Sequence, residues 1–391
     1  MRQADIAIVG GGLAGSTAAA MLGRAGISSI MIDPHKVYPP DFRCEKLGGP
    51  QIETIRKTGL YDAVRRASTL DGRVWTARFG RLLDSRPSDQ HGILYDDLVN
   101  AMRREIPSHA EMIEAKVTSI ATTNDRQTLV LSNGEEISAR LVVLANGLNV
   151  GLRQKLGIER VLVSSCHSIT IGFNVVPVGR DAFEFPALTY FGESSAARMA
   201  YLTLFPIGGV MRANLMVYRD IDDPWLQRMR QTLETALHEI MPNLRSLSGA
   251  FKVEGPLKIR PADLYTVSGH RQAGVVLVGD AFSTSCPAAG TGTAKVFTDV
   301  ERLCNAYIPG WLASPGMSEA KISQFYDDPK KRACDANSIN EAYALRAMSM
   351  DSGLLWHARR WGRFAARLTL GTLRRLTETG IAKTSHQSLM H

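Results

Sequence analysis

Residues 275–303 read VVLVGDAFSTSCPAAGTGTAKVFTDVERL, and this stretch decides the fold. The four apolar residues VVLV are typical of a buried strand. They run into Gly279-Asp280, then into a turn of Pro, Gly and Thr from Pro287 to Thr293, and then into a helix. Small residues at a strand-to-helix turn indicate that the backbone closely approaches a ligand.

A second turn of this kind lies near the N-terminus, where residues 5–35 read DIAIVGGGLAGSTAAAMLGRAGISSIMIDPH. The pattern predicts a strand, the turn Gly10-x-Gly12-x-x-Gly15, a helix, and a second strand that ends at Asp33. Gly10 permits the tight turn, Gly12 lets backbone N–H groups reach a pyrophosphate, and Gly15 brings helix and strand together. Asp33 is placed to accept hydrogen bonds from an adenosine ribose. This turn alone fits either FAD or NAD.

The two turns together favour FAD, because a nicotinamide-only dehydrogenase has no need of a second Gly-Asp turn so far along the chain. Asp280 is placed to accept hydrogen bonds from ribityl hydroxyls. The backbone from Pro287 to Thr293, at a helix N-terminus, would face the pyrimidine edge of the flavin and stabilise its negative charge when it is reduced.

The composition of the chain limits the number of its domains and the class of its partners. The chain has 391 residues, 45% hydrophobic and 21% charged, as in globular proteins of one large or two ordinary domains. Its net charge of +8 favours anionic partners such as cofactor phosphates. Five scattered cysteines, no secretory segment and no long apolar run predict a cytoplasmic protein with reduced thiols. No spacing of His and Cys predicts a metal site, and no motif predicts nucleic-acid binding.

The two motifs, GxGxxG and VGDAF…P…GTG, resemble those of the class A flavin-dependent monooxygenases, the para-hydroxybenzoate hydroxylase class. The same superfamily includes flavin-dependent halogenases and geranylgeranyl reductases. The resemblance covers about residues 4–60, 90–160 and 255–305. It implies an α/β fold: a Rossmann-type FAD-binding domain with an inserted antiparallel β-sheet substrate domain and a helical C-terminus.

The resemblance also implies a set of FAD contacts. Arg43 matches an arginine that lies against the cofactor, Val117 matches a strand whose backbone flanks the adenine, and Tyr95 stands where an arginine is usual. The residues expected to contact FAD are Gly10, Gly12, Leu13, Ala14, Gly15, Asp33, Pro34, Arg43, Val117, Asn146, Gly279, Asp280, Pro287, Gly290, Thr291, Gly292 and Thr293.

Two departures from the family pattern affect the expected chemistry. Asn146-Gly147 replaces an Asp-Gly pair that contacts FAD and NAD(P)H, and Asn keeps the turn without supplying the charge. Ala294 stands where an Asn is common. The sequence therefore indicates FAD, while the acid that contacts the nicotinamide in the family is missing.

The sequence pattern divides the chain into alternating parts. FAD-binding segments are expected at 1–75, 92–163 and 255–305, with a substrate-domain excursion at 76–91 and the β-sheet substrate domain at 164–254. Residues 224–244 have one helical apolar stripe, and 306–391 are expected to be helical. The side chains expected to line the substrate pocket, against the flavin turn, are His167, Tyr190, Phe191, Tyr201, Phe205 and Met211.

The C-terminal stretch 354–376 interleaves arginines with apolar side chains. Two interpretations stay open: a helix that packs on the protein with a solvated arginine face, or an interfacial helix that contacts a membrane or an acidic partner. The arginines concerned are Arg359, Arg360, Arg363, Arg367, Arg374 and Arg375.

The predicted function is that of an FAD-dependent monooxygenase. NADPH or NADH would act as a transient reductant, and O2 would oxygenate a hydrophobic small molecule, aromatic compounds among the candidates, through a flavin hydroperoxide. A geranylgeranyl-reductase-like enzyme acting on a lipid double bond is the first alternative, with Cys44 near the position of a functional cysteine. A non-catalytic flavin-binding relative is the second. No catalytic side chain follows from the sequence, and Arg43 and Cys44 are the candidates.

Overall fold

The computed structural model describes the backbone of residues 1–388 and the side chains of residues 1–372. The strands are β1 Arg2–Val9, β2 Ser29–Asp33, β3 Lys46–Leu47, β4 Thr69–Leu70, β5 Arg73–Arg78, β6 Arg81–Pro87, β7 His91–Gly92, β8 Glu111–Glu114, β9 Val117–Ala121, β10 Gln127–Leu131, β11 Glu136–Leu144, β12 Glu159–Pro177, β13 Ala187–Phe191, β14 Met199–Ile207, β15 Val210–Val217, β16 Phe251–Ser268 and β17 Val275–Leu277.

The α-helices are α1 Leu13–Arg24, α2 Pro50–Lys57, α3 Tyr61–Ala67, α4 Tyr95–Arg104, α5 Gly151–Lys155, α6 Pro224–Gln231, α7 Leu233–Ile240, α8 Arg245–Ser248, α9 Gly292–Arg302, α10 Ile308–Leu312, α11 Glu319–Tyr326, α12 Pro329–Met350 and α13 Leu354–Ser388. A π-helical segment, Leu303–Tyr307, joins α9 to α10.

The chain forms two compact units. Unit 1 comprises residues 1–69, 93–167 and 262–342, and unit 2 comprises 70–92, 168–261 and 343–391. The helices after residue 305, expected as one C-terminal region, are therefore divided between the units at residue 342.

Unit 1 is built on a sheet in the order β8-β2-β1-β11-β10-β9, with β17 paired to β11. The pairs of β1 with β2 and β11, of β2 with β8 and of β11 with β17 are parallel. Apolar side chains fill both faces of this sheet, as parallel strands require, with Ile6 and Ile8 in one core and Ala7 and Val9 in the other. The predicted α/β Rossmann-type domain is confirmed.

Unit 2 contains a sheet in the order β16-β12-β15-β14-β13-β5-β6. The pairs β12–β15, β15–β14, β14–β13 and β5–β6 are antiparallel and β13 runs parallel to β5, so the predicted antiparallel sheet is in fact mixed. Helix α13 packs on β6, where a Cβ added to Gly371 would lie 1.8 Å from the backbone oxygen of Leu83.

Residues 224–244 are largely helical as predicted, but in two pieces, because α6 ends at Gln231 and α7 begins at Leu233. Thr232, between them, has φ −141° and ψ 61°, outside the helical region. The indole Nε1 of Trp225 donates to the backbone oxygen of Ala236 at 3.1 Å and holds the two short helices together. A continuous apolar stripe cannot reveal such a break.

Candidate functional site: a dinucleotide cleft in unit 1

One cleft in unit 1, of about 270 Å³, is lined by residues from both of the turns singled out in the sequence. Gly12 comes from the N-terminal turn and Asp280 from the turn after β17. The lining residues are Gly10, Gly12, Leu13, Ala14, Asp33, Tyr38, Arg43, Tyr95, Ala145, Asn146, Gly147, Leu148, Asn149, Val278, Asp280 and Val296. Two segments about 270 residues apart in the chain thus meet at one site.

The N-terminal turn is shaped by its glycines. Gly10 has φ +102°, and a Cβ there would lie 2.7 Å from the backbone oxygen of Ala145. A Cβ on Gly15 would lie 1.8 Å from the oxygen of Gly10. Around Gly12, by contrast, the nearest atom to an added Cβ is a ring carbon of Tyr38 at 4.0 Å. Gly12 therefore opens onto the cleft, while Gly10 and Gly15 close the turn.

Asp33 is tied to this turn at the end of β2. Its carboxylate accepts a hydrogen bond from the N–H of Gly11 at 2.7 Å. It also forms an ion pair with Arg103 at 3.1 Å, and both side chains are almost completely buried. Arg103 Nε donates to the backbone oxygen of Gly11 at 3.0 Å. Arg103, from the last turn of α4, thus links the glycine turn and Asp33.

The Gly-Asp turn is held from several sides. The guanidinium of Arg43 donates to Asp280 at 2.8 Å and to Asp41 at 2.6 Å, and it lies 5.5 Å from the ring centre of Tyr95. Beneath the turn, buried Arg153 donates to the backbone oxygen of Ala281 at 2.7 Å. Arg43, which follows β2 in the chain, is therefore fixed at the cleft by the acid of the second turn.

A buried charge network supports the same turn from helix α9. Asp299 accepts from the N–H of Gly279 at 2.9 Å and from the ammonium of Lys331 at 2.8 Å, and Lys295 lies 3.6 Å away. Burial alone would raise the pKa of Asp299, but Lys295 and Lys331 hold it below its usual range. The carboxylate is thus charged and fixes the backbone of Gly279.

Asn146 occupies the position where the family pattern has an acid. Its side-chain amide donates to the backbone oxygen of Asn149 at 3.1 Å, the local capping role expected for Asn. Its Oδ1 is buried at the cleft and has no hydrogen-bond partner in the described protein. An unsatisfied buried acceptor at a binding cleft fits a ligand that brings a donor.

Other expected cofactor residues lie outside the cleft lining of the described protein. Gly15 packs inside the turn, Pro34 follows β2, and Val117 begins β9 at the edge of the sheet. Gly279 packs against Val296 and Ala14. The expected residues of the turn before α9 and of its first turn that do not line the cleft are Pro287, Gly290, Thr291, Gly292 and Thr293.

The backbone of the turn before α9 is nevertheless accessible to a ligand, as the sequence predicted. Gly290 has φ +68° and nothing within 4 Å of an added Cβ, and its backbone oxygen accepts from Gln51 Nε2 at 2.5 Å. No side chain caps the N-terminus of α9 at Thr291. The helix thus keeps an uncapped positive end behind a backbone that any ligand could approach closely.

Cys44 lies close to this turn but is not activated. Its thiol donates to the backbone oxygen of Lys46 at 3.2 Å. Burial raises the pKa of the Cys44 thiol, so at neutral pH it is protonated. A protonated thiol is a weak nucleophile.

The side chains expected to line a substrate pocket do not share one surface. His167 is a buried residue of unit 1, whose ring nitrogens lie 3.1 Å from Ser164 Oγ and 3.4 Å from the backbone oxygen of Ala342. Tyr190 is also buried, and its hydroxyl donates to Glu193 at 2.5 Å and accepts from the N–H of Gly80 at 2.8 Å. Both side chains have structural partners.

The strand register divides the remaining candidates. Phe191 pairs with Tyr201, and Tyr190 pairs with Leu202. Since paired residues share a face and neighbours alternate, Tyr201 and Phe205 lie on one face and Tyr190 on the other. Met211 pairs with Pro206 and belongs to the face of Tyr190. The expected grouping of all these side chains in one pocket is therefore wrong.

The face of Tyr201 is unusual because several of its polar side chains are buried. We call it the polar face; its members are Tyr201, Thr203, Phe205, Arg212 and Asn214. Arg212 donates to Asn174 at 3.1 Å, and Asn214 Oδ1 is buried without a hydrogen-bond partner in the described protein. Polar groups on a buried sheet face are the kind that orient a ligand.

Sequence reasoning missed the residues that support the turns. Asp299 and Lys295 are four apart on α9, a spacing that is visible in the sequence as a helical ion pair. Arg103 lies within the expected FAD-binding segment 92–163 but is not among the residues expected at the site. Nothing in the sequence marks Arg153, which reaches the Gly-Asp turn from α5. In the described residues, no group of His, Cys, Asp or Glu is arranged to hold a metal ion.

FAD fits the residues present. The N–H groups at the start of α1 would hold its pyrophosphate, Asp33 the adenosine ribose and Asp280 the ribityl chain. The open face of Gly12 and the orphaned Oδ1 of Asn146 both lie at the cleft. The uncapped N-terminus of α9 would stabilise negative charge on the reduced flavin.

Comparisons with known proteins agree with this site. A model of the FAD-binding domain family matches residues 3–308. The 3-demethoxyubiquinol 3-hydroxylase of Escherichia coli K12 is 26% identical over 360 residues, which cover 83% of this chain and 86% of the relative. A squalene epoxidase of Schizosaccharomyces pombe is 24% identical over 341 residues, covering 80% of this chain and 70% of the relative.

The fold is shared with solved structures. The p-nitrophenol 4-monooxygenase of Pseudomonas putida DLL-E4 superimposes with a TM-score of 0.75 at 18% identity, covering 98% of both chains. With the family model matching most of the chain and with Gly12 and Asp280 lining one cleft, the chain belongs to the FAD-binding domain family of class A flavin-dependent monooxygenases and is an FAD-dependent oxidoreductase.

Proposed function

We propose that this monooxygenase takes hydride from NADPH or NADH and uses O2 to hydroxylate a hydrophobic small molecule that carries an aromatic ring. The single observation that carries the proposal is the meeting of the two turns at one cleft, since this arrangement suits FAD and its reduced, anionic form. Bound FAD supplies the redox chemistry and the activation of O2. The names of the relatives support an apolar substrate, because one acts on a ubiquinol and another on squalene.

The protein side chains then have positioning roles. Asp33 and Arg103 fix the glycine turn, and Arg43 and Asp299 fix the Gly-Asp turn. We infer that the polar face of unit 2 receives the substrate, with Tyr201 and Phe205 providing apolar contact. Arg212 and Asn214 provide the few polar contacts that orient an otherwise apolar molecule.

The proposal is tested with purified protein. It should be yellow, and a reduced quinol or a monocyclic phenol should stimulate NAD(P)H oxidation and acquire one atom from 18O2. Reduction of a lipid double bond without incorporation of 18O would instead identify a reductase. Bound flavin without any substrate-stimulated reduction would identify a non-catalytic relative.

The polar face has its own test. Asn214→Leu should raise the KM for the phenol about tenfold or more, because a buried polar contact contributes about 1–3 kcal/mol, while the melting temperature and the bound flavin stay unchanged. Lys252→Leu, at an exposed position of the same unit, is the matched control. An unchanged KM in Asn214→Leu would place the substrate elsewhere.

We also propose that α13 contacts anionic membrane surfaces. Leu354, Leu355 and Leu370 are 91%, 62% and 56% exposed on α13, a helix that also carries exposed Arg359. Apolar side chains next to arginines suit an interface with anionic lipid. Arg374 and Arg375 lie outside the described side chains. No helix within the described residues has the length and apolarity to cross a bilayer. Co-flotation with anionic vesicles, lost in Leu354→Glu, is the expected result, and no flotation would refute it.

A further inference from the structure

Unit 2 contains a cavity of about 160 Å³ whose walls combine arginines with apolar side chains. Arg78 contributes from β5, and Arg360, Arg363 and Arg367 contribute from α13. Phe191, Met199, Leu345, Met348 and Phe364 are among the apolar side chains that complete the walls. We call this space the arginine cavity.

Arg360 is the most constrained cation of the arginine cavity. The residue is only 7% exposed. Its Nη1 donates to the backbone oxygens of Met348 at 3.2 Å and Asp351 at 2.6 Å. Its Nη2 is buried and has no hydrogen-bond partner in the described protein. A buried guanidinium N–H without an acceptor destabilises the fold, and an oxygen of a bound ligand would relieve this by accepting from Nη2.

The other arginines increase the local positive charge. Arg78 Nε donates to the backbone oxygen of Gly192 at 2.8 Å, a neutral acceptor that does not cancel its positive charge. Burial lowers the pKa of Arg78, and the charges of Arg360 and Arg367 lower it further. Glu193 opposes this shift, but its carboxylate already accepts from Tyr190 at 2.5 Å and from Asn243 at 2.6 Å.

Positive charge extends to the exposed side of the cavity. Burial lowers the pKa of Arg367, and the neighbouring charges of Arg363 and Arg86 lower it further, while Asp84 opposes the shift. The guanidinium of Arg367 lies 4.7 Å from the ring centre of Phe191. Several guanidinium groups with few acids between them form a site that attracts anions.

The size and the walls restrict which anion fits. A cavity of about 150 Å³ with apolar walls accommodates benzene, so the arginine cavity has room for one ring. The planar fork of arginine matches the two oxygens of a carboxylate. Aromatic and aliphatic walls disfavour a bare, strongly hydrated inorganic ion.

We propose that the arginine cavity is a binding site for a small apolar carboxylic acid of about one ring, whose carboxylate is held by Arg360 and Arg78. The site goes beyond the proposed hydroxylation, since binding of the acid requires no turnover.

Calorimetric titration of the FAD-loaded full chain with benzoate tests this inference. Benzoate should bind with one site per chain. Benzyl alcohol, which keeps the ring and lacks the charge, and inorganic phosphate, which keeps the charge and lacks the ring, should each bind about tenfold or more weakly. Benzyl alcohol or phosphate binding as tightly as benzoate would overturn the proposal, as would no benzoate binding at millimolar concentration.

Variants locate the site. Arg360→Met and Arg78→Met should each weaken benzoate binding about tenfold or more, because each removes a charge-assisted hydrogen bond. Arg359→Met is the matched control, since Arg359 is exposed, lies over the ring of Trp356 and does not line the cavity. Bound flavin and melting temperature report folding, and Arg78→Met decides the matter if Arg360→Met does not fold. Unchanged affinity in a folded Arg360→Met or Arg78→Met protein would refute the site.

Discussion

Substitution of Gly12 by alanine should separate folding from cofactor binding. Gly12 has φ −73°, which any residue adopts, and the nearest atom to an added Cβ is 4.0 Å away. Alanine is a poorer N-cap than glycine but restricts the unfolded chain, and these effects are both about 0.5–1 kcal/mol and opposite in sign. The apoprotein should therefore keep its free energy of unfolding within about 1 kcal/mol.

Binding of FAD should respond very differently. The added methyl group enters the cleft where backbone N–H groups would meet the pyrophosphate. Loss of one charge-assisted hydrogen bond costs about 1.5–3 kcal/mol, which corresponds to roughly a 10- to 150-fold weaker Kd. Titration of the stripped protein with FAD, followed by quenching of flavin fluorescence, measures this change, and urea unfolding of the apoprotein measures stability.

Gly15→Ala and Gly362→Ala are the two controls for Gly12→Ala. A Cβ at residue 15 would lie 1.8 Å from the oxygen of Gly10, so the backbone must move and the apoprotein should lose about 1–3 kcal/mol or more. Gly362 is helical with nothing within 4 Å, and alanine there should stabilise by up to about 1 kcal/mol without affecting FAD. The reasoning fails if Gly12→Ala destabilises the apoprotein as much as Gly15→Ala does, or binds FAD with unchanged Kd.

Three further changes test the supports of the site. Asp299→Asn removes the fully buried partner of Lys331, which keeps the partly exposed Asp335 at 3.1 Å, and should cost about 3 kcal/mol in urea unfolding at pH 7. The pKa of Asp299 is lower in the folded protein than in the unfolded chain, where it is near 4, so its carboxylate stabilises the fold above about pH 4. This stabilisation is lost as the pH falls through the folded-state pKa, and the difference in free energy of unfolding between wild type and Asp299→Asn should shrink at acid pH. A difference that does not change with pH would contradict this. Tyr326→Phe removes the hydroxyl that accepts from the buried N–H of Leu277 at 2.9 Å and should cost about 1–3 kcal/mol in urea unfolding; an unchanged free energy of unfolding would refute this. Cys44→Ala should keep kcat within about twofold, since the buried thiol is protonated at neutral pH; loss of most activity with normal flavin content would favour the reductase chemistry.

Some structural expectations followed directly from local sequence. The strand–turn–helix units at residues 5–35 and 275–303 are correct because glycine placement and apolar runs act within a few residues. The helix that begins at Leu13 and the strand that ends at Asp33 are local features of the same kind. From these units alone the Rossmann-type domain and its cleft could be predicted.

The sequence by itself therefore determined the two glycine turns, the acid at the end of β2 and the class of ligand they suit. Tertiary structure alone decided that Arg153 and Asp299 support the second turn, that Tyr190 and Tyr201 lie on opposite faces, and that Arg360 lines a cavity rather than a solvated helix face. The physical reason is distance along the chain. The local pattern shows which residues of a strand share a face. Strand register and packing between remote segments determine which other residues each face contacts.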